Sequence, residues 1–226
     1  MRIHLIACDV LKEEFLRVCP EEVTYTFLEQ GLHRRPEQMP EAIQAAVGAA
    51  PADADRIVLG YGLCSNGIVG VKAEGRPLLV PRVHDCISML LGSRERYEEE
   101  FGNSPGTYYL TGGWISVATN PYKSYKEDYV KRFDPETARW IATEQLKHYT
   151  RIALVNNGVG NVEEARAYAR EMAEFFGFEM VEIEGSLAYF SRALRGPWND
   201  GDFVAVEPGH SVRGEDFLIG KAMTLL

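Results

Sequence analysis

Short apolar runs alternate with amphipathic stretches along most of the chain. Runs rich in β-forming residues predict strands at 2–7, 23–28, 56–60, 77–83, 107–111, 151–155, 179–183 and 203–206. Apolar residues at helical spacing predict helices at 10–18, 36–50, 85–91, 95–101, 162–176 and 186–194. Because strands alternate with helices, we expect an α/β fold with one or two largely parallel sheets covered by helices.

The two ends of the chain show the same order of elements. Residues 2–60 and 151–206 both run strand, helix, strand, helix, strand. This order allows a single α/β domain over 1–226 or two similar halves, 1–119 and 150–226. Residues 120–149 contain few glycines and many aromatic and charged residues, which predicts a helical link. Both organisations stay open, because α/β chains show such an order even without duplication.

Composition narrows the class of protein. The 226 residues are 46% hydrophobic and 25% charged, which is typical of a globular chain. The formal net charge of −9 argues against a nucleic-acid-binding protein. No apolar run reaches the roughly 18 residues that a membrane span needs, and the first residues do not resemble a signal peptide. We therefore expect a cytoplasmic protein that binds neither nucleic acid nor membrane.

The four cysteines are the first indication of function. Four are too few for a disulfide scaffold, and in the cytoplasm they should stay reduced. Cys8 follows the first predicted strand, Cys64 lies four residues past the third, and Cys86 follows the fourth. The carboxyl ends of parallel strands meet at one edge of a sheet, so these three thiols are expected to converge. Cys19 precedes Pro20 at the end of a helix and is interpreted as a packing residue.

The loop around Cys64 supports a binding site. A free cysteine is often just a buried small side chain. The sequence YGLCSNG at 61–67, however, places Gly62, Asn66 and Gly67 around the thiol, as expected where backbone approaches a ligand closely. These three residues are predicted to bind the cofactor, and Tyr61 could line the site.

Three converging thiolates allow more than one chemistry. A 4Fe–4S cluster held by Cys8, Cys64 and Cys86 would leave one iron open to a substrate. Zinc on the same thiolates, with one further ligand, is the alternative. The paired CxxC spacing of common zinc and ferredoxin sites is absent from the sequence. The thiols could also act without metal, as a nucleophile and a resolving thiol.

Two residues before Cys86 are candidates for catalysis. His84 could be an acid/base group or the fourth metal ligand, and Asp85 could be an acid/base group or the N-cap of the following helix. The N-cap interpretation is favoured, because an apolar helical run follows Cys86. Cys86 would then lie in the first turn, where the helix dipole is expected to lower the pKa of its thiol. His4, His33 and His148 are not expected to have a functional role.

A glycine-containing turn offers a competing site. The sequence NNGVGN at 156–161 lies between a predicted strand and a helix, where a phosphate could bind. It lacks the full dinucleotide fingerprint and a P-loop lysine. It is therefore interpreted as an ordinary turn with Asn161 as the N-cap.

Several motifs resemble an uncharacterised protein family. These are ACDV at 7–10, GYGLCSNG at 60–67, PRVHDCI at 81–87, LLGS at 90–93 and YYLTGGW at 108–114. The family is a domain of unknown function from anaerobic bacteria and archaea, often found beside genes for corrinoid-dependent methyltransferases. The resemblance covers essentially the whole chain. It implies a role in anaerobic one-carbon, corrinoid or sulfur metabolism, with a corrinoid protein or methyltransferase as partner.

Two further likenesses concern the arrangement or the number of the cysteines only. The arrangement is similar to the thiouracil desulfidase family, which holds a 4Fe–4S cluster by three cysteines, and to quinolinate synthase in ligand count. The local motifs do not match either one, so neither substrate nor mechanism is carried over.

The sequence therefore supports three functional hypotheses. The leading one is a metalloprotein whose iron–sulfur cluster has one position open to a small substrate, with lyase, desulfidase or methyltransferase-related activity. A zinc–thiolate protein is the second. The third is a non-catalytic accessory protein of a corrinoid methyltransferase system, which would dock through the Tyr-rich segment 121–140. All three hypotheses are compatible with a homo-oligomer.

Overall fold

The computed structural model describes residues 1–198 and 201–218. It has a mixed α/β fold, which confirms the predicted class. The strands are β1 (Ile3–Cys8), β2 (Thr24–Leu28), β3 (Arg56–Gly60), β4 (Leu78–Pro81), β5 (Thr107–Leu110), β6 (Arg151–Asn156), β7 (Glu179–Glu184) and β8 (Phe203–Val206).

The helices lie between these strands. They are α1 (Lys12–Val18), α2 (Met39–Ala49), α3 (Cys86–Leu91), α4 (Arg94–Asn103), α5 (Gly112–Val117), α6 (Pro121–Ser124), α7 (Val130–Arg132), α8 (Pro135–Gln145), α9 (Val162–Phe176) and α10 (Ala188–Arg195). Short 3-10 turns precede α1 and α2, so these helices begin two or three residues later than the periodicity predicted. None of the helices within the described ranges is long and apolar enough to cross a membrane.

The chain divides into two compact units. The first contains residues 1–94 and the described residues from 186 onward, and the second contains residues 95–185. These units do not coincide with the halves 1–119 and 150–226. The difference arises because β5 of the first half pairs with β6 in the second unit, and β8 of the second half pairs with β4 in the first unit.

The sheet of the first unit has the order β2-β1-β3-β4-β8. Its first four strands are parallel, and β8 is antiparallel to β4. All six residues of β1 are buried, as expected for an interior strand of a covered parallel sheet. The chain passes from β1 to β2 on one side and returns to β3 on the other. The strand order therefore reverses at β1 and β3, the position where open α/β sheets bind ligands.

His4 is a polar residue in this apolar strand. Its side chain is buried, with Nδ1 2.7 Å from the Thr24 hydroxyl and Nε2 3.1 Å from the Thr26 hydroxyl. Both threonines lie on β2, so the imidazole links the two strands. Burial and the positive charge of Arg76 lower the pKa of His4, and the side chain is therefore neutral in the folded protein at neutral pH.

The helices of the first unit pack through large aromatic side chains. Phe15 of α1 and Phe190 of α10 are fully buried, and their rings meet edge to face with centroids 5.0 Å apart. Such a pair contributes roughly 1 kcal/mol beyond the apolar area that it buries. The contact joins an early helix to a late one and so holds the two chain segments of the unit together.

The second unit has its own three-stranded parallel sheet, in the order β5-β6-β7. Its core contains Leu154 of β6 and Met172 of α9. The link 120–149 forms two helical segments, as predicted: α6, a π-helical turn and α7 follow one another without a break over 121–132, and α8 is the second segment. Tyr122 and Tyr125 contact Phe175 of α9, with ring centroids 5.2 and 4.5 Å apart. These tyrosines pack on α9 and do not form a free surface.

The His4 contacts predict a pH dependence of stability. The folded pKa lies below that of the unfolded chain, so the unfolded state binds more protons once the pH falls below about 6.5. We expect the free energy of unfolding to fall from pH 7 to pH 5, and to fall less in His4→Gln. Urea unfolding of both proteins at the two pH values measures this. An equal loss in both proteins would contradict the assignment to His4.

Candidate functional site

Three cysteines follow three adjacent strands of the first unit. Cys8 is the last residue of β1, and Cys86 is the first residue of α3, which follows β4. Cys64 lies four residues beyond the end of β3. Their positions along the chain agree with the sequence prediction, and all three are free thiols in the structure.

Backbone hydrogen bonds hold Cys64 beside the segment that precedes Cys86. The Leu63 amide donates to the Val83 carbonyl at 2.9 Å, and the Cys64 amide donates to the His84 carbonyl at 2.8 Å. These bonds extend the association of β3 and β4 past the ends of both strands. The loop that carries one thiol is thereby fixed to the turn that carries another.

Gly62 permits this close approach. A Cβ atom at Gly62 would lie 2.8 Å from the Cα and 2.9 Å from the amide nitrogen of Asp85. Gly67 is also enclosed by protein, since its Cβ would lie 2.5 Å from Sδ of Met39. Both glycines therefore lie against the chain itself, and at Gly62 the neighbouring group is backbone that cannot move aside. From the sequence, they were expected to lie close to a cofactor.

A left-handed turn carries Cys64. The φ angles of Cys64, Ser65 and Asn66 are +48°, +56° and +65°, and the Gly67 amide donates to the Cys64 carbonyl at 3.0 Å. Consecutive residues with side chains rarely adopt this conformation, because each costs roughly 1–2 kcal/mol. Strain of this kind is concentrated at functional sites. The side chain of Asn66 is exposed.

Asp85 is the N-cap of α3. Its Oδ1 accepts a hydrogen bond from the Ile87 amide at 2.9 Å, which confirms the favoured interpretation. The cap fixes the backbone at Cys86 and places a carboxylate beside the thiols. His84 contributes its carbonyl to the contact with Cys64, while its side chain is exposed.

The three thiols are buried and affect one another electrostatically. Burial raises the pKa of Cys8 to about 12. Burial, followed by the negative charges of Asp85 and Cys8, raises the pKa of Cys64 to about 12. The pKa of Cys86 is raised well above its usual range by burial and then by Asp85, Cys64 and Cys8. Each pair among the three interacts, so the thiols lie within electrostatic reach of one another.

The expected effect of α3 on Cys86 was wrong. The first turn of a helix was expected to lower the pKa of the thiol, but burial and the neighbouring carboxylate outweigh the backbone. At neutral pH all three cysteines are therefore protonated, which disfavours a metal-free nucleophile. A bound cation reverses this balance, because metal binding deprotonates a coordinating thiol.

Neither Tyr61 nor His33 was among the residues predicted to bind the metal or cofactor or to act in catalysis. Tyr61 was noted as a possible lining residue, and it is fully buried next to the cysteine loop. His33 was not expected to have a functional role, and its ring is stacked on Tyr61 with centroids 6.4 Å apart. His33 lies on a 3-10 turn after β2, distant in sequence from all three cysteines, so no local motif connects it with them.

Cys19 lies outside this group. It follows the last residue of α1, is partly exposed, and interacts with Arg195 and Glu22 instead of with the other cysteines. This position agrees with the interpretation of Cys19 as a residue without a role in the site.

The turn at 156–161 in the second unit is an ordinary helix start. The Asn161 side chain accepts a hydrogen bond from the Glu164 amide at 3.2 Å, which confirms it as the N-cap of α9. Glu163 and Glu164 occupy the first turn of α9. Their negative charge disfavours a phosphate at this position.

A family model matches residues 27–194, which is more than half of the chain, and its description is "Protein of unknown function (DUF1638)". The chain belongs to this family. The match includes Cys64 and Cys86, and Cys8 precedes it. No curated protein and no solved structure matches the chain. The predicted membership of a family of unknown function is therefore confirmed, and its reaction must be inferred from the site.

The residues of the DUF1638 site fit a metal by their chemistry, although they do not enclose one. Thiolates are the ligands that iron–sulfur clusters and zinc prefer. Within residues 1–198 and 201–218, no three His, Cys, Asp or Glu side chains form a group that could hold a metal ion. The three thiols therefore do not surround a common ion in this structure.

The contact of Gly62 with Asp85 predicts a position-specific loss of stability. Gly62→Ala would force the Cys64 loop away from the backbone before α3, and we expect a loss of about 2 kcal/mol in the free energy of unfolding. Gly48→Ala in α2 is the control, because a Cβ there comes no closer than 3.9 Å to any other group. Chemical denaturation measures both. Equal stability of the two variants would contradict the packing role.

At the left-handed turn, a change to glycine is expected to stabilise the protein. Ser65→Gly should raise the free energy of unfolding by about 1 kcal/mol, because glycine adopts a positive φ without steric cost. Asn66→Gly should raise it less, since asparagine tolerates this conformation better than serine. Denaturation of both variants beside the unchanged protein tests this order. A loss of stability in Ser65→Gly would show that the serine side chain stabilises the turn.

Proposed function

We propose that this DUF1638 protein holds an iron–sulfur cluster on Cys8, Cys64 and Cys86, with one iron open to a small substrate. One observation carries the proposal. Three buried free thiols follow three adjacent strands at the point where the strand order reverses; Cys8 raises the pKa of Cys64, and both raise the pKa of Cys86. A cationic group would remove this repulsion between thiolates and would offset the cost of burying their charge.

A cluster and a zinc ion place different demands on the positions of the three thiols. Zinc needs every sulfur about 2.3 Å from the same ion. A cluster of four irons carries each thiolate on a different iron, so its ligands can lie farther apart. The three thiols interact through their charges, and the number of metal ions bound per chain distinguishes the two groups. Zinc, with His84 or a substrate thiol as the fourth ligand, is the alternative.

The chain's own residues would position and shield such a group. The Asp85 cap fixes the backbone at Cys86, and the bond from the Cys64 amide to the His84 carbonyl fixes the neighbouring loop. Cys8 is held at the end of a fully buried strand. When bound, the cluster would supply an open iron that polarises a small molecule as a Lewis acid. The buried position of the three sulfurs would limit access of water and oxygen.

The wider setting follows from the sequence resemblance and stays a prediction. It comprises anaerobic one-carbon or sulfur metabolism, a lyase, desulfidase or methyltransferase-related reaction, and a corrinoid protein or methyltransferase as partner. An accessory protein without catalysis is the alternative to an enzyme. A cytoplasmic location would keep the four thiols reduced.

Substitution of single cysteines tests the cluster. After anaerobic reconstitution with ferrous iron and sulfide, we expect about four irons per chain and broad visible absorbance. Cys8→Ala, Cys64→Ala and Cys86→Ala should each lose most of the iron, because only three thiolates hold the cluster. Cys19→Ala is the matched control and should keep it. Iron and sulfide analysis with absorbance spectra measures all five proteins.

The same experiment separates the alternatives. Equal iron content in the four variants, or no iron in the unchanged protein, would contradict the cluster. A colourless protein with one zinc per chain would favour the zinc alternative. His84→Ala should keep the cluster, since its side chain is exposed. Loss of the metal from His84→Ala would make His84 a ligand and would favour a zinc site of three sulfurs and one nitrogen.

A further inference from the structure

The strand β2 lies at one edge of the five-stranded sheet and has an open side. Within the described residues it pairs with β1 alone. Successive residues of a strand direct their main-chain N–H and C=O groups alternately to either side, so some of these groups in β2 point away from β1. All residues of β1 are buried, whereas Thr24 and Tyr25 of β2 are exposed. The outer edge of β2 is therefore available to another strand.

This edge lacks the features that usually prevent pairing with another strand. Charged side chains and proline protect the edges of most sheets, and the sequence TYTFL of β2 contains neither. By contrast, β7 at an edge of the other sheet contains three glutamates, at positions 179, 182 and 184. The chain has a net charge of −9, but β2 itself is uncharged. Two copies can therefore meet along β2 without like charges in contact.

Apolar side chains lie beside this edge on one face of the sheet. Tyr25 and Phe27 are two residues apart and so point to the same face, with ring centroids 5.3 Å apart. Nζ of Lys12 in α1 lies over the Phe27 ring, 5.9 Å from its centroid. Leu16 follows Lys12 by one turn on the same side of α1, toward Tyr25, because α1 leads back to the start of β2. Tyr25 and Leu16 are 49% and 38% exposed, so the apolar surface next to the edge includes both β2 and α1.

The sequence of β2 fits an antiparallel pairing with itself. A two-fold dimer brings the same edge of both copies together, which makes the two strands antiparallel. With the axis at Thr26, all five residues of the strand are paired. Tyr25 of one copy then lies opposite Phe27 of the other on the same face, and Thr24 lies opposite Leu28. Facing aromatic side chains are among the favourable cross-strand pairs.

The charges that flank β2 favour the same register. With the axis at the centre of the strand, Glu22 lies opposite Gln30 and Glu29 lies opposite Val23, so each carboxylate faces an uncharged residue. Moving the axis by one residue toward the start of β2 pairs fewer strand residues and places Glu21 opposite Glu29. Like charges directly opposite each other destabilise a strand pair. The flanking sequence therefore selects the register that pairs the whole strand.

We propose that this protein forms a two-fold dimer in which β2 pairs antiparallel with β2 of a second copy and joins the two sheets into one. Main-chain hydrogen bonds satisfy the outer edge of β2, and the facing aromatic rings add apolar contact. A stable interface buries roughly 1,200 Å² or more, which exceeds the area of a short strand edge. The exposed Leu16 on α1 therefore forms part of the interface.

The dimer leaves the candidate metal site of each copy free. Cys8 is paired with Leu28, at the carboxyl end of β2. Antiparallel strands direct their carboxyl ends in opposite directions, so the thiols of the two copies lie at opposite ends of the paired strands. The inference goes beyond the proposed function and does not depend on the cluster.

Sedimentation equilibrium of the full chain measures the association. One chain has a mass of 25.4 kDa, and the unchanged protein should show twice this mass at micromolar concentration. Tyr25→Glu should show the mass of one chain, because it places a carboxylate against Phe27 of the second copy and near the same carboxylate of that copy. We expect its dissociation constant to rise at least about tenfold. Tyr25→Phe keeps the ring and should keep the dimer.

Trp140→Glu is the matched control for charge and exposure. Trp140 lies on α8 and is 63% exposed, so this change also replaces an exposed aromatic side chain by a carboxylate. It should leave the dimer unchanged. Circular dichroism of each variant shows whether it is folded, and Tyr25→Glu should be, since the side chain is exposed.

Hydrogen exchange gives a second readout in the unchanged protein. Pairing protects the amides of β2 that point away from β1, so exchange over residues 24–28 should slow as the protein concentration rises. The edge strand β7 is the internal control, and its exchange should not depend on concentration. This measurement decides the question if Tyr25→Glu does not fold.

The outcomes are distinct. A dimer that Tyr25→Glu dissociates and Trp140→Glu does not, or protection of β2 that rises with concentration, supports the proposal. A mass of 25.4 kDa for the unchanged protein would overturn it. A folded Tyr25→Glu that remains a dimer, or a dimer that only Trp140→Glu dissociates, would overturn it as well. So would exchange of β2 that is the same at every concentration.

Discussion

The candidate site depends on the backbone contact between the loop after β3 and the turn after β4. Hydrogen bonds from the Leu63 and Cys64 amides to the Val83 and His84 carbonyls bring Cys64 next to the segment that ends in Cys86. Gly62 makes the contact possible, because any side chain there would meet the backbone of Asp85. Without this contact, the two thiols would be carried by loops with no fixed separation. The position of the thiols is therefore decided by main-chain geometry.

Several features that cost stability are concentrated around this contact. The turn at Cys64 has three consecutive left-handed residues, and the hydroxyl of Tyr61 is unpaired among the described residues. The surrounding elements offset these costs with apolar burial, as in the fully buried strand β1 and the contact between Phe15 and Phe190. Unfavourable backbone conformations and unpaired polar groups that a stable scaffold tolerates are typical of functional sites.

The second unit, residues 95–185, contains none of the three thiols. Its tyrosines at 122 and 125 pack on Phe175, so two of the five aromatic residues that suggested a docking surface in 121–140 stabilise the unit itself. Phe133 and Trp140 remain 39% and 63% exposed. The turn at 156–161 is accounted for by the N-cap at Asn161. The candidate chemistry argued from the sequence therefore lies entirely in the first unit.

The sequence by itself determined the secondary structure and the positions of the cysteines. Apolar periodicity located the strands and most helices within a few residues, and the rule that ligands bind at the carboxyl ends of parallel strands selected Cys8, Cys64 and Cys86. Only the tertiary structure decided the antiparallel pairing of β8 and the high pKa of Cys86. It also decided the need for glycine at position 62 and the stacking of His33 on Tyr61. Each of these depends on groups that are distant in sequence. Burial and close packing are properties of the assembled fold, and a local pattern cannot encode them.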